Sequence, residues 1–128
     1  MLKVGTDLVA IARIERALRR FGPRFTARYL RADEHTPQRT PAASYAGYWA
    51  AKEAIAKALG CGIGSELNFH DIHLKKDTRG APSFTLSPEA SRRFPLRQSS
   101  LSISHDGGFA IAVVILELGE KAEAQEIG

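Results

Sequence analysis

The spacing of hydrophobic residues in the first third of the chain predicts one strand followed by two helices. Residues 2–7 alternate between larger apolar or β-branched side chains and polar or small ones, the two-residue period of a short strand that ends near Asp7. Gly22-Pro23 then separates two segments whose apolar residues recur at helical spacing. The first helix carries Ile11, Ile14 and Leu18 on one face, and the second extends from Arg24 to Leu30.

A long central helix is predicted from Thr40-Pro41 to about Leu59. Thr40 offers a hydroxyl N-cap, and proline suits the first helical position because the backbone N–H that it lacks has no helical partner there. Gly60 suits the left-handed residue that commonly follows a helix. Three alanines, one turn apart, would allow another element to pack closely against this helix: Ala46, Ala50 and Ala54.

The C-terminal half alternates in the manner of antiparallel strands. Phe69–Lys76 and Ser83–Leu86 flank the turn-forming segment Asp77–Gly80, which predicts a hairpin, and a short helix should follow over Ser87–Phe94. The last two strands, Ser100–His105 and Phe109–Leu118, meet at the turn Asp106-Gly107-Gly108. Because Phe109–Leu118 is almost entirely apolar, we expect that strand to be buried on both faces.

These elements predict a single α+β domain. An N-terminal strand and three helices precede mostly antiparallel strands with one short helix, and 128 residues suffice for one domain. We expect residues 1–118 to form this domain and residues 119–128 to be a flexible polar tail.

The composition indicates in which cellular compartment the protein is expected. No apolar run approaches the roughly 18 residues that a membrane span needs, and the N-terminus lacks the pattern of a signal peptide. Cys61 is the only cysteine, so no internal disulfide can form, which favours a reducing compartment. We therefore expect a cytoplasmic protein with no membrane partner.

The net charge of +4 is concentrated in the first two helices. Residues 13–31 contain seven arginines but only one acid, Glu15. Many such runs are only solvated surfaces, yet the near absence of acids equally favours an acidic partner. The arginines are Arg13, Arg16, Arg19, Arg20, Arg24, Arg28 and Arg31.

The candidate chemistry lies on the central helix. Glu53 and Lys57 are four residues apart and share one face with Trp49. A carboxylate suits a metal ion and an ammonium suits a phosphate, and Asp7 offers a second carboxylate. On spacing alone, Glu53 and Lys57 could form an ordinary surface ion pair with no function, and Asp7 could be only a helix cap.

Geometry or missing residues exclude three other candidate functional motifs. Ser104-His105-Asp106 cannot act as a catalytic triad, because adjacent strand residues point to opposite faces. The same rule separates His70 from His73 as metal ligands. The glycines of residues 60–64 lack the lysine and hydroxyl residue of a Walker loop, although they could let a backbone approach a phosphate.

Four sequence blocks together resemble a known family. They are GTDLVAIARIERA (5–17), RFTARYL (24–30) with Glu34, AGYWAAKEAIAKALGCGIG (46–64) and SISHDGGFAIAVV (102–114). In this order and at these separations they resemble the holo-acyl-carrier-protein synthases, the small trimeric branch of the 4′-phosphopantetheinyl transferases, over about residues 3–117. The resemblance implies that branch's fold and its reaction, which transfers 4′-phosphopantetheine from coenzyme A to a serine of an apo acyl carrier protein and releases adenosine 3′,5′-bisphosphate.

The resemblance also implies residue roles. Asp7 and Glu53 match the ligands of Mg²⁺, and Lys57 matches a lysine at the pyrophosphate. Glu53 and Lys57 are the implied catalytic residues, but a metal-bound water, Glu53 or a neutral Lys57 could each take the serine proton. The implied coenzyme A contacts are Asp7, Lys57, Gly60, Gly62, Ser104 and His105, the last near the adenosine 3′-phosphate.

The arginine-rich helices match the family's docking surface for the carrier protein. Carrier proteins present an acidic helix, so basic steering would speed docking. Members of the family form homotrimers with active sites shared between chains, and the apolar strand Phe109–Leu118 fits such an interface as well as a core. The implied carrier contacts are Arg13, Arg20, Arg24, Phe25 and Arg28.

Three positions depart from the family's pattern. Tyr48 stands where arginine is usual, so one basic contact is missing or replaced. Asp106 follows the histidine where threonine or serine is usual, and a carboxylate beside a phosphate is unfavourable unless it points away. Cys61 replaces a small hydroxyl residue and is best interpreted as a filler.

Two other functions are compatible with the residues alone. A basic RNA- or protein-binding module would explain the arginines, but only 8% of the residues are aromatic and no RNA-binding motif is present, so we expect no nucleic acid partner. A catalytically degenerate homologue would explain Tyr48 and Asp106.

Overall fold

The computed structural model describes residues 1–120, in which a long helix packs on one face of a three-stranded sheet. This architecture confirms the predicted α+β class. Single 3₁₀ turns occupy Ala32–Glu34 and Phe69–Asp71. The strands are β1 (Leu2–Ala10), β2 (Ile72–Lys76), β3 (Pro82–Leu86), β4 (Leu96–Asp106) and β5 (Phe109–Leu118). The helices are α1 (Ile11–Phe21), α2 (Pro23–Tyr29), α3 (Ala42–Leu59) and α4 (Pro88–Arg93).

The main sheet has the order β1-β5-β4, and β5 runs antiparallel to both neighbours. Asp7 on β1 lies opposite Ala112, which pairs in turn with Ile103 of β4. Gly107 and Gly108 join β4 to β5 with φ angles of 58° and 85°, values that glycine adopts without steric cost. The predicted hairpin is confirmed as a separate sheet of β2 and β3. β1 and β4 are thus the two edges of the main sheet.

Helix α3 covers the inner face of this sheet at close range. The predicted close packing at the three alanines is confirmed, since Ala46, Ala50 and Ala54 are fully buried. A Cβ added at Gly5 of β1 would collide with the carbonyl oxygen of Ala54, so glycine permits the contact. Gly60 ends α3 with φ of 89°, as predicted. This close contact holds α3 at a fixed position over β1.

A buried ion pair ties α3 to the segments around it. Lys52 Nζ donates to Glu34 Oε1 at 2.9 Å and to the Phe69 carbonyl at 3.0 Å. Glu34 also accepts the backbone N–H groups of Arg31 at 2.6 Å and Leu74 at 2.7 Å. Four segments of the chain therefore meet at one ion pair, three of them at the Glu34 carboxylate.

The structure corrects several predicted boundaries. Strand β1 continues to Ala10, so Asp7 lies within the strand, and α1 begins without a side-chain cap. The interpretation of Asp7 as a helix cap is therefore wrong. Helix α3 begins at Ala42, because the hydroxyl of Thr40 instead donates to the Thr36 carbonyl at 2.9 Å.

Two predicted strands also have different limits. Residues 69–71 form a 3₁₀ turn rather than the start of β2, because Asn68 caps them by accepting the His70 N–H at 2.9 Å. Strand β4 begins at Leu96, earlier than predicted, and pairs with β5 along its length. The Gly119 N–H donates to the Pro95 carbonyl at 2.8 Å, so the chain is held beyond residue 118. The rest of the predicted tail, from residue 121, lies outside the described residues.

The prediction that β5 is buried on both faces is wrong for the single chain. Its inner side chains are buried, but no element within residues 1–120 covers the alternate ones, which are between 38% and 50% exposed. Apolar side chains of β1 continue the same surface. We call this surface the outer sheet face; it comprises Leu2, Val4, Leu8, Phe109, Ile111, Val113 and Ile115.

Candidate active site

Three predicted site residues converge at the β1 edge of the sheet. Asp7 projects from the inner face of β1, and Glu53 and Lys57 lie one turn apart on α3. Lys57 Nζ donates to Asp7 Oδ1 at 2.8 Å and to the Thr6 carbonyl at 3.1 Å. The Lys57 side chain is 53% exposed and that of Asp7 is 16% exposed, so the pair is open to solvent. Residues that are about fifty positions apart in sequence are therefore direct neighbours.

The electrostatics of Glu53 connect the two acids. Burial raises the pKa of the Glu53 carboxyl above its ordinary value, and the nearby charge of Asp7 raises it further. The positive charges of Lys57 and Arg13 act in the opposite direction. The two carboxylates are thus close enough to repel each other, and a cation bound between them would relieve that repulsion.

This donor set fits a hard divalent cation. Two carboxylates with open solvent access match the way in which Mg²⁺ is usually held, with ligand phosphates and water completing its coordination. Within residues 1–120 no group of three or more His, Cys, Asp or Glu side chains is arranged to hold a metal ion. Such a site would bind a metal ion together with a phosphate group of its ligand.

The predicted glycines lie just beyond the lysine. Gly60 and Gly62 have positive φ angles of 89° and 66°, and the Gly62 N–H donates to the Ala56 carbonyl at 3.1 Å. A Cβ added at either glycine would meet open space. Their backbone is therefore accessible at the C-terminal end of α3, one turn from Lys57.

Ser104 and His105 do not join the acids within one chain. Both lie on β4, the opposite edge of the sheet, and Ser104 is on the outer face whereas His105 is on the inner face. His105 lines a cavity of about 220 Å³ with Tyr48 of α3 and Lys76 of β2. We call this cavity the β4-edge recess. Its other lining residues are Ala43, Ser44, Gly47, Gly80, Pro82 and Ile103.

Lys76 lines the β4-edge recess but was not among the candidate residues of the sequence analysis. Nothing in a lysine pair at the end of a hairpin strand distinguishes it from ordinary surface charge.

The predicted docking arginines are exposed on α1 and α2, whereas Phe25, the fifth implied carrier contact, is buried. Phe25 is only 7% exposed, and its ring packs 5.8 Å from Trp49 and 5.2 Å from Tyr29. In the described chain, therefore, Phe25 has little exposed surface with which to contact a carrier protein. Phe21, at the end of α1, is 45% exposed and lies 5.2 Å from the Arg20 guanidinium carbon. The exposed arginines are Arg13, Arg20, Arg24 and Arg28.

Trp49 also has a structural role. It shares a helix side with Glu53 and Lys57, as predicted, but its ring packs among Phe25, Tyr29 and Phe69. This aromatic cluster fixes α2 against α3. The basic helices are thereby held in a defined position beside the acids.

Residues 3–114 match the family profile described as the 4′-phosphopantetheinyl transferase superfamily. The chain belongs to this superfamily. Among curated proteins, it is 55% identical over 116 residues to the holo-[acyl-carrier-protein] synthase of Sulfurovum sp., covering 91% of this chain and 97% of that protein. The holo-[acyl-carrier-protein] synthase of Wolinella succinogenes is 50% identical over 114 residues, with 89% and 96% covered.

Solved structures of other superfamily members have the same fold. The crystal structure of the Helicobacter pylori holo-[acyl-carrier-protein] synthase in complex with coenzyme A matches with a TM-score of 0.85 at 46% identity. The match covers 89% of this chain and 99% of that one. The Neisseria meningitidis synthase matches with a TM-score of 0.81 at 36% identity, covering 90% and 97%. These similarities extend over nearly all of the described chain.

Proposed function

We propose that this chain is a holo-[acyl-carrier-protein] synthase, which transfers the 4′-phosphopantetheine group of coenzyme A to a serine of an apo acyl carrier protein. The products are the holo carrier protein and adenosine 3′,5′-bisphosphate. The convergence of Asp7, Glu53 and Lys57 at an open sheet edge is the observation that carries the proposal. The 55% identity to a synthase of this name supports it.

The chain's own residues suit this chemistry. The serine oxygen forms a bond to the β-phosphorus of coenzyme A, and the bond from that phosphorus to the bridging pyrophosphate oxygen breaks. Lys57 offers ammonium N–H donors to the phosphate oxygens on which charge develops. Asp7 and Glu53 would hold Mg²⁺, which when bound neutralises phosphate charge as a Lewis acid. Glu53 is our candidate acceptor of the serine proton, because its carboxylate lies beside Asp7 and Lys57 at the proposed reacting centre.

We further propose that the complete site forms between chains of a homotrimer. Asp7 lies on one edge strand of the sheet and His105 on the other, with β5 between them. A single coenzyme A molecule that contacts both Asp7 and His105 would therefore extend from one chain to the next. The outer sheet face supports this assembly, because contiguous exposed apolar surface is typical of interfaces.

The exposed arginines of α1 and α2 are the proposed docking surface for the acidic carrier protein. Within residues 1–120, Arg20, Arg24 and Arg28 form no ion pair, so their charge is available for a partner. The charge of Arg13 lowers the pKa of the Glu53 carboxyl, which supports a docking surface close to the proposed reacting centre. A carrier bound there could present its serine to Glu53.

The cellular compartment and the domain limits also belong to the proposal. No helix in the described residues is both long and apolar enough to cross a membrane. With a single cysteine, the chain suits the cytoplasm, where coenzyme A and carrier proteins would meet it. We take residues 1–118 as the transferase domain.

The test is transfer itself. The protein is incubated with coenzyme A, Mg²⁺ and an apo acyl carrier protein, and mass spectrometry measures the mass gain of the pantetheine arm. We expect the wild type to modify the carrier, and Asp7→Ala and Glu53→Ala to lose transfer by about a hundredfold or more while remaining folded by circular dichroism. Glu89→Ala, which removes an exposed acid on α4, is the matched control and should behave as wild type.

Two results would contradict the proposal. Wild-type protein that leaves the carrier unmodified would refute the transfer function. Transfer at the wild-type rate by either acid variant would remove the metal assignment.

A further inference from the structure

We propose that Arg93 of α4 is a positioning residue, which holds the glycine-rich segment after α3 in the conformation that binds coenzyme A. We call this segment, residues 60–67, the glycine loop. The inference rests on the proposed function for one point, the identity of the ligand. Arg93 acts through the backbone of the loop and is not proposed to contact the substrate.

The composition of the glycine loop makes its order depend on contacts from outside. A Cβ added at Gly60, Gly62 or Gly64 would meet open space, so no neighbouring atom confines these positions closely. Ser65 and Glu66 are exposed as well. Glycine loses more conformational freedom on ordering than any other residue. Holding this loop in one conformation therefore has an entropic cost that its contacts must offset.

The two ends of the glycine loop are fixed in different ways. At the start, the Gly62 N–H donates to the Ala56 carbonyl of α3 at 3.1 Å. At the end, the Leu67 side chain is fully buried in the core. The Gly64 N–H donates to the Leu67 carbonyl at 2.8 Å, but this contact lies within the loop itself. The exposed residues between the two ends therefore need a further contact.

Arg93 supplies that contact. Its Nη1 donates to the Glu66 carbonyl at 2.7 Å, and within residues 1–120 no other side chain hydrogen-bonds to the backbone of the glycine loop. A hydrogen bond from a guanidinium is stronger than one between neutral groups. Arg93 Nη2 also donates to Glu89 at 3.1 Å, but this pair is exposed and contributes little. The bond to Glu66 does not depend on it.

Helix α4 is a firm support for this arginine. Ser87 caps the helix by accepting the Ala90 N–H at 3.2 Å, and its hydroxyl donates to Asp71 Oδ1 at 2.7 Å. Ala90 and Phe94 are buried in the core. Because α4 is fixed at both ends, the guanidinium can hold the loop in place against it.

The consequence for the reaction concerns coenzyme A rather than the carrier protein. Without the Arg93 contact, a smaller fraction of molecules would have the loop in its binding conformation, which weakens apparent affinity in proportion. We expect the KM for coenzyme A to rise roughly three- to tenfold, as the loss of one partly exposed hydrogen bond would give. The kcat and the KM for the carrier should stay within about twofold of wild type.

Steady-state kinetics of carrier modification by the intact protein test this separation. Arg93→Ala should raise the KM for coenzyme A, and Arg93→Lys should recover part of the loss because an ammonium can still donate to a carbonyl. Arg92→Ala is the matched control, since it removes the same charge from the neighbouring residue of α4. Within residues 1–120 Arg92 forms no ion pair.

Hydrogen exchange gives a second readout that does not require transfer. In protein without ligand, mass spectrometry follows exchange of the backbone amides of residues 61–66. Arg93→Ala should exchange faster than wild type over this segment, whereas Arg92→Ala should match wild type.

The outcomes separate this inference from the proposed function. Unchanged exchange or an unchanged KM for coenzyme A in Arg93→Ala would overturn the inference, as would equal effects in Arg92→Ala. Carrier modification by the wild type in that case would leave the proposed function standing. Faster exchange in Arg93→Ala alone, with a wild type that leaves the carrier unmodified, would uphold the role of Arg93 in holding the loop and refute the proposed function.

Discussion

Helix α3 carries two lysine–carboxylate pairs only five residues apart, and they differ in almost every physical respect. The Lys52–Glu34 pair is buried, with side chains 0% and 2% exposed, and Glu34 accepts two backbone N–H groups as well. The Lys57–Asp7 pair is open to solvent, and Glu53 lies close enough to repel Asp7. One pair has its hydrogen-bonding capacity filled by the fold. In the other, the Lys57 ammonium contacts Asp7 and the Thr6 carbonyl, while the lysine side chain is open to solvent.

The difference shows how a scaffold and a site can be distinguished on one helix. Removing one partner of a buried pair leaves the other charge uncompensated in a region of low dielectric. The intact pair therefore serves to fix the arrangement of the segments that it joins. An exposed pair contributes little to stability, because water and salt screen it. Its charges remain free to interact with a ligand. We therefore expect substitutions at the two lysines to have separate effects on stability and on transfer.

The largest expected effect follows from breaking the buried pair. Lys52→Met keeps the length of the side chain but leaves the Glu34 carboxylate buried without its cation, so the free energy of unfolding should fall by about 3–5 kcal/mol. Urea denaturation measures this change. A second substitution, Glu34→Gln, should restore part of the loss, because it removes the charge and keeps an oxygen for one of the two backbone N–H groups.

The control for that experiment is an isosteric change at the exposed pair. Lys57→Met should alter the free energy of unfolding by less than about 1 kcal/mol. If the Lys52 and Lys57 variants lost equal stability, the distinction between a structural and a functional pair would be wrong.

Lys57→Met should instead affect the reaction. It removes the ammonium that faces the phosphate oxygens in the proposed mechanism, so transfer to the carrier should fall by about a hundredfold or more. Initial rates of carrier modification, at saturating coenzyme A, measure the loss. Folding is checked on the same sample by the urea midpoint. A variant that transfers at the wild-type rate would limit Lys57 to the role of a partner for Asp7.

Much of the fold was predictable because its signals are local. Apolar spacing, Gly22-Pro23 and Gly60 marked the helices, and turn residues marked both hairpins. The grouping of Asp7 with Glu53 and Lys57 in one site was not a local signal. It entered through the family resemblance, since no periodicity relates positions so far apart in sequence.

What could not be predicted depends on three-dimensional surroundings. Lys52 falls in an apolar stripe, but sequence does not reveal that Glu34 reaches it. Phe25 and Phe21 are both aromatic residues in basic helices, and only the packing of Trp49 decides that the first is buried. An apolar strand such as Phe109–Leu118 does not indicate which of its faces the same chain covers.

The smallest expected effect concerns the pH dependence of stability, and it sharpens the comparison further. In metal-free protein, burial and the charge of Asp7 raise the pKa of Glu53 above its ordinary value of 4.5. Between that value and the raised pKa the folded state binds more protons at this site than the unfolded state does. The contribution of Glu53 to the free energy of unfolding should therefore fall as pH increases through this window. Glu53→Gln cannot titrate, so its stability relative to wild type should increase with pH over the window and then level off.

Urea midpoints measured at several pH values give the difference between the two proteins. Asp7→Asn should reduce the slope of the wild-type curve without removing it, because burial of Glu53 would still act when the like charge is gone. Parallel curves for wild type and Glu53→Gln would show that the fold does not raise the pKa of Glu53. If Asp7→Asn left the slope unchanged, the two acids would not interact, and the case for a shared cation would fail. A slope that Asp7→Asn reduces would mean that the fold keeps two like charges close together, which a bound divalent cation would offset.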